Sequence, residues 1–435
     1  MAILTSNMEQ TPAIHSRNTS SNPSFLSRLY IPTNLETAFK AEQSILKVSN
    51  IDIISEDPQA QEFDGKSSVE SRLFNSFIDN SNYIRTLHIR NNELPISTSD
   101  RNTLNSNESN TSEPNNLVIT HGFGNGLGFY FKNYEDLSKT PGLDLYSIDW
   151  LGMGLSSRPD FKIDKSLPME QQIKNSEEFF VESLEKWRKN MKIEKMNLLG
   201  HSFGGYMSSL YALKYPQHVN KLILESPVGV QETPRAAQEY IDTLKLPKYD
   251  KIEFEGETKF IGPDGKELSK READIINRFS SAKFFTRFLF KVAVKQWNSI
   301  SSPQRLLRGL GRFGPFFTNK YASRFTNLSE EEIKLLADYM YHVSAQKGSG
   351  EYSIGIILKP FAYARMPLIN RLDDIKVPTY FIYGDRDWMD YDAGVELSKK
   401  IIPHSQVFKL DNAGHNMHLD NPEEFNRVVK DILLL

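Results

Sequence analysis

Cysteine is absent from all 435 residues. That excludes a disulfide framework, a thiol nucleophile and a thiolate-bound zinc, and it fits a reducing compartment. Long apolar runs are missing too. No stretch approaches the ~20 residues that span a bilayer, so no transmembrane helix is expected. The N-terminus lacks the continuous apolar segment of a secretory signal. Nor is there an excess of positive charge: 52 Lys and Arg stand against 55 Asp and Glu, a net −3 that argues against a protein coating nucleic acid. What is present suffices for a sizeable core, at 39% hydrophobic and 11% aromatic residues. The length predicts one large domain with insertions, or two domains. Residues 1–30 are rich in Ser and Thr and carry Arg17 and Arg28 against Glu9. Mitochondrial presequences and plain polar tails share that composition, and both readings stand.

Little periodic structure precedes Tyr83–Arg90, which reads as a strand. From Ser97 to Asn116, 14 of 20 residues are Ser, Thr or Asn, the mark of a solvated loop. Strands and helices then alternate. Strands are expected at Leu117–Thr120, Leu143–Asp149, Met196–Leu199 and Lys221–Glu225, with helices at Met169–Met191 and Phe203–Lys214. Alternation stops between about Gln231 and Asp374. It resumes with strands at Thr379–Tyr383 and Gln406–Leu410 and helices near Asp392–Lys400 and from Pro422. This pattern predicts an α/β fold around a mostly parallel sheet, with a mainly helical cap inserted between the sixth and seventh strands. The expected divisions are an N-terminal region with early strands (1–116), a first core part (117–230), the cap (231–375) and a second core part (376–435).

Gly200-His-Ser-Phe-Gly204 is a G-x-S-x-G sequence lying between a predicted strand and a predicted helix. A sharp turn there needs glycine at both flanks, because a side chain would strike neighbouring backbone, and it raises the Ser202 hydroxyl above the sheet. The helix N-terminus adds free N–H groups that favour developing negative charge. An acyl-transfer nucleophile needs an oxyanion hole. The amides of Phe203 and, in His121-Gly-Phe-Gly124, of Phe123 are the candidate donors. Gly122, Gly124, Gly126 and Gly128 match neither nucleotide-loop spacing, so no nucleotide site is expected. The base should be a histidine after the last strand, which is His415 in Gly414-His415. The orienting acid should lie between nucleophile and base, in Tyr383-Gly-Asp-Arg-Asp-Trp-Met-Asp390. Asp387 is the natural choice, with Asp390 and Asp385 open as alternatives. His201 should point away from Ser202, and His218 and His404 sit beside helix ends.

Together these residues resemble those of the α/β-hydrolase superfamily. Asp149-Trp-Leu-Gly-Met-Gly154, with Ser156, is similar to its D-x-x-G-x-G-x-S turn. GHSFGGY (200–206), YGDRDWMD (383–390) and GHNMHLD (414–420) resemble the subfamily of fungal cardiolipin-specific deacylases, yeast lysophosphatidic acid acyltransferases and the animal lipid-droplet lipase co-activator. The likeness covers about Leu117–Asp431. It implies a mitochondrial, membrane-associated enzyme acting on cardiolipin; the cytoplasm or a lipid-droplet surface is the other expectation. The co-activator lacks the nucleophile that Ser202 supplies here. The subfamily's H-x-x-x-x-D pattern, linked to acyltransferase activity, is matched by His415 and Asp420. Physically, Asp420 precedes Asn421-Pro422, which reads as a helix cap, so a structural role is expected for it.

The cap carries a local charge reversal. From Ile275 to Ser329 there is no Asp or Glu, but ten Lys or Arg and eleven Phe, Tyr or Trp. Lys283, Arg287, Lys291 and Lys295 recur every four residues and would form one basic stripe on a helix; Arg305 and Arg308 follow. Such a segment can lie on an anionic membrane, at ~1 kcal/mol per basic residue. It can equally be an ordinary cap helix with solvated lysines. The expected activity is that of a serine acyl hydrolase deacylating an anionic phospholipid, without metal or organic cofactor and without nucleic acid. The rivals are acyl-CoA-dependent acylation of lysophosphatidic acid, a lipid-binding co-activator without turnover, and a soluble ester or peptide hydrolase. The oligomeric state is not legible.

Overall fold

The computed structural model describes residues 33–54, 67–93, 115–245, 249–254, 257–262 and 302–435, with scattered positions between 265 and 297. The strands are β1 (Ile53–Ile54), β2 (Val69–Phe77), β3 (Tyr83–Asn91), β4 (Asn115–Thr120), β5 (Leu143–Ile148), β6 (Met196–His201), β7 (Val219–Glu225), β8 (Asp250–Phe254), β9 (Glu257–Ile261), β10 (Thr379–Gly384) and β11 (Ser405–Leu410). Nine of them form one sheet in the order β1-β2-β3-β5-β4-β6-β7-β10-β11. Pairing is antiparallel for β2–β3 and β3–β5 and parallel elsewhere in that sheet. Helices cover both faces, and strands β4 to β6 and β10 are wholly or almost wholly buried, as parallel strands between two helical layers must be.

The expected α/β architecture is the one observed, and among the described residues the insertion falls between β7 and β10, the sixth and seventh strands of the sheet when the two-residue β1 is not counted. Two details differ. The N-terminal region holds a helix, Leu35–Lys47, and strand β2, both ahead of Tyr83. A capping box fixes the helix start, with the Thr37 amide donating to the Asn34 side chain at 2.8 Å. Its buried face is Ala38, Ala41, Glu42, Ile45 and Leu46, and the Glu42 carboxylate pairs with Arg85 of β3 at 2.6 Å. The cap is not helical throughout, because β8 and β9 form an antiparallel hairpin in it. The division drawn at 116/117 also falls inside β4.

The cap's later part rests on the core through the helix Glu330–Ala345, which meets Leu35–Lys47 and the loop after β4. That loop carries the four glycines whose spacing matched no nucleotide loop. A Cβ on Gly126 would come 2.2 Å from the Tyr339 hydroxyl, and one on Gly128 2.7 Å from the Tyr339 ring. The Gly128 amide donates to that hydroxyl at 3.1 Å. These two glycines are there to admit a tyrosine.

Candidate active site

Strand β6 ends at His201 and a helix begins at Phe203, leaving Ser202 alone on the turn at φ 53°, ψ −114°. An L-residue is strained there by about 1–3 kcal/mol, and persists only where its surroundings dictate it. Here they do. A Cβ on Gly200 would lie 2.5 Å from the Gly204 carbonyl oxygen, and one on Gly204 2.6 Å from that of Thr120. The Ser202 amide donates to the Glu225 carbonyl at 2.9 Å, which ties the turn to the end of β7. The Ser202 hydroxyl is 3.0 Å from His415 Nε2.

His415 lies on the loop after β11. Its Nδ1 is 3.2 Å from Asp387 Oδ1, and that same oxygen accepts from the Met389 amide at 3.0 Å. The three candidate acids therefore separate. Asp390 is not the partner of His415: its carboxylate caps the helix Tyr391–Lys400, accepting from the amides of Asp392 and Ala393 at 3.1 and 3.3 Å. Asp385 accepts from the Ala413 amide at 2.9 Å. Burial pushes the Asp387 carboxyl upward, but the hydrogen bond and charge of His415, with Met389 and Ser226, outweigh it and hold the group below its ordinary value.

Ser226 is the residue that sequence reasoning missed. It follows β7 with φ 46°, its hydroxyl donates to Asp387 Oδ2, and its Oγ is 2.8 Å from His415 Nδ1. The imidazole N–H thus faces two acceptors, which are themselves joined. The only local signal was its place at a strand end, since β7 and β10 become neighbours across the whole cap; the Ser226 amide donates to Ile382 of β10 at 2.8 Å.

The two candidate oxyanion donors flank Ser202. Phe203 opens its helix, so its amide has no acceptor within that helix. The loop His121–Gly124 runs so near that a Cβ on Gly122 would come 3.0 Å from Ser202 Cβ. The Phe123 and Phe203 rings meet edge to face at 6.3 Å. His121 anchors this loop: its Nε2 accepts from the Trp150 amide and its carbonyl from the Trp150 indole, both at 3.1 Å. Burial lowers its imidazole to about 4, so it stays neutral. From the turn after β5, Asp149 accepts from the amides of Leu127 and Leu155, each at 2.7 Å, and Ser156 donates to its carbonyl at 2.6 Å. Burial raises the Asp149 carboxyl to about 6 against those amides.

Beneath His415 lies a sealed polar cluster. His201 Nε2 donates to the His415 carbonyl at 2.9 Å, so its ring supports the base from below. Glu225 accepts from His418 Nδ1 at 2.7 Å and from the Tyr130 hydroxyl at 3.0 Å. Burial lowers His201 to about 3. For Glu225, burial acts upward, but His418, His201 and Tyr130 hold it below the ordinary range. Among the described residues, ligand atoms of His201, Glu225 and His418 fall within 4.8 Å of one another. Two ligands on one tetrahedral zinc would sit about 3.3 Å apart. The 2.7 Å contact of Glu225 and His418 is instead that of a hydrogen-bonded pair.

Asp420 does not touch the reacting groups. Its Oδ2 accepts from the Gly414 amide at 2.9 Å, which braces the loop carrying His415, and burial raises its carboxyl. Asn421 caps the next helix as expected, accepting from the Glu424 amide at 3.3 Å. Among the proposed headgroup residues, Lys283 and Arg287 lie outside the described residues. Lys291, Lys295 and Arg305 are exposed. Arg308 is not available to a headgroup: it folds back onto Glu351 at 2.5 Å and onto the carbonyls of Ser344 and Gln346. Trp388, 46% exposed, stands with its ring centroid 4.9 Å from that of His415, an apolar wall beside the base.

The family described as alpha/beta hydrolase fold matches residues 115–422, the span that carries Ser202, Asp387 and His415. The chain is an α/β hydrolase. Among its relatives is an Arabidopsis thaliana protein named 1-acylglycerol-3-phosphate O-acyltransferase, 33% identical over 409 residues, covering 92% of this chain and 81% of that one. A Mus musculus (lyso)-N-acylphosphatidylethanolamine lipase is 31% identical over 324 residues, covering 73% and 78%. In fold, the hydrolase is similar to the carboxylesterase CesB from Bacillus subtilis, with a TM-score of 0.50 at 14% identity over 92% of this chain and 98% of that one. The relatives place this α/β hydrolase in the branch that holds these lipid-acting proteins.

Proposed function

We propose that this α/β hydrolase is a serine acyl hydrolase that removes a fatty acyl chain from an anionic phospholipid, specifically cardiolipin, at a mitochondrial membrane. The observation that carries it is the unbroken contact from the Ser202 hydroxyl through His415 to Asp387. Ser202 attacks the ester carbonyl while His415 Nε2 takes its proton. Negative charge gathers on the carbonyl oxygen, where the amides of Phe123 and Phe203 receive it. His415 then protonates the leaving lysolipid. Water, deprotonated by the same imidazole, releases the fatty acid. Asp387 and Ser226 keep Nδ1 protonated and stabilise the imidazolium. The substrate class is supported by the acid-free basic stretch of the cap and by relatives whose names concern phospholipids.

A second reading is favoured by the acyltransferase name of the Arabidopsis relative. It keeps the same groups and replaces water by a lysophospholipid hydroxyl as acceptor, with acyl-CoA as donor. The two separate in one assay. Purified protein is given vesicles with and without cardiolipin, and then acyl-CoA with lysophosphatidic acid, with products read by mass spectrometry. Faster fatty acid release from cardiolipin supports the deacylase. Diacyl product without fatty acid release would replace it by the transferase.

Ser226→Ala leaves the Asp387–His415 contact in place but removes the hydroxyl bridging them. One hydrogen bond to a charged group is worth about 1.5 kcal/mol, so kcat should fall about tenfold. KM for a soluble ester should hold. A change confined to melting temperature would show that Ser226 only supports the fold.

A further inference from the structure

We infer that the corner of the cap formed by the short helices Pro303–Gly309 and Gly314–Ala322 is a docking surface for an anionic lipid bilayer. The arrangement of side chains there is the reverse of an ordinary amphipathic helix pair. The residues facing the protein are small or polar: Gln304 on the first helix, and Gly314, Thr318 and Ala322 on the second, are buried. The large apolar ones face out, with Leu306 56%, Leu310 37%, Phe313 56%, Phe316 63% and Phe317 48% exposed. Close packing requires the small side. A Cβ on Gly314 would lie 2.5 Å from the Tyr341 ring of the helix Glu330–Ala345. The second helix therefore cannot roll over to bury Phe316 and Phe317.

The charge pattern selects the occupant. Residues 302–329 contain no acidic side chain. Arg312, Lys320 and Arg324 are exposed around the apolar corner. The Arg312 guanidinium lies 5.1 Å from the Phe313 ring centre, and that of Arg324 3.8 Å from that of Tyr321. Aromatic and aliphatic groups flanked by cations match the boundary between acyl chains and anionic headgroups. A second copy of this chain fits poorly, because a two-fold contact would set the same cations against each other.

The corner is rigidly held beside the active site. Ser302 donates to Glu351 at 2.7 Å and caps the first helix, and Arg308 grips the same carboxylate. The Gln304 amide nitrogen lies 3.4 Å from the Cβ position of Gly124, next to the proposed oxyanion donor Phe123. Gln304 belongs to the same helix, Pro303–Gly309, whose Leu306 is exposed at the corner. Docking would thus present the Ser202 cleft to the headgroup layer. The inference rests on the phospholipid reading only for that purpose; the surface itself is defined by exposure and charge.

The test is vesicle flotation of the full chain, with phosphatidylcholine alone and with phosphatidylcholine mixed with phosphatidylglycerol. It uses a Ser202→Ala background so that turnover does not alter the vesicles. The triple variant Phe313→Ser, Phe316→Ser, Phe317→Ser should lower binding to the anionic vesicles about tenfold or more. Arg312→Glu with Lys320→Glu should remove the preference for anionic over neutral vesicles. With Ser202 intact, both variants should hydrolyse a short water-soluble ester at the wild-type rate, which shows that they fold. Wild-type flotation of the triple variant would overturn the inference, as would a triple variant that changes from dimer to monomer in sedimentation. Absence of fatty acid release from any vesicle, beside variant-sensitive flotation, would end the phospholipase reading and leave the docking surface standing.

Discussion

Ser202→Ala is expected to lower acyl release by on the order of 10⁶ in turnover, while the protein binds vesicles and melts as the wild type does. The size follows from the geometry. Among the described residues, the hydroxyl is the group placed 3.0 Å from His415 Nε2, so without it the imidazole lacks the alcohol it deprotonates. What survives is water attack assisted by the amides of Phe123 and Phe203, about 10³–10⁴ above the uncatalysed rate. Stability should barely move. Alanine keeps the turn, the Ser202 carbonyl still accepts from Tyr206 and Val228 at 3.2 Å each, and one partly buried hydrogen bond is lost, about 1 kcal/mol. The decisive readouts are single-turnover release of fatty acid and labelling by a serine-directed fluorophosphonate. A fall of less than a hundredfold, or labelling that persists in the alanine variant, would place the nucleophile elsewhere.

Asp387→Asn should cost about 10⁴ in turnover. An asparagine amide in that place presents N–H groups toward Ser226 and His415, and so favours the imidazole tautomer with its proton on Nε2. That tautomer cannot accept from Ser202. The informative companion is Asp390→Asn. Asn caps a helix about as well as Asp, so neither rate nor melting temperature should change. Asp390→Ala should instead lose about 1 kcal/mol of stability at normal turnover. If Asp390→Asn proved the slower enzyme, the assignment drawn from the 3.2 Å contact of Asp387 with His415 would be wrong.

Steric demands acting between neighbours in sequence were legible without the fold. Gly200 is needed because a Cβ there meets the Gly204 carbonyl four residues on, and the strand-turn-helix grammar around Ser202 is local; the demand on Gly204 comes from Thr120 of β4. The Asn421 cap and the break in alternation that marks the insertion are local in the same sense, while the order of nucleophile, acid and base was legible as a recurring chain order. The early helix Leu35–Lys47 escaped notice because its buried face uses two alanines and a glutamate. Glu42 is tolerable only through Arg85, a residue of another element.

The rest depended on which distant segments meet. Asp385, Asp387 and Asp390 lie within six positions, and only the path of the loop sends one to an imidazole, one to a helix start and one to the Ala413 amide. Ser226 enters the site because β7 and β10 pair across the inserted cap. Gly126 and Gly128 turned out to accommodate Tyr339, and Arg308 turned out to be spent on Glu351. The nucleophile and its turn could thus be named from sequence, since they carry a local backbone requirement. Which charges remain for a ligand, and which apolar groups remain in water, is settled by pairing and packing between residues far apart along the chain, where no spacing rule reaches.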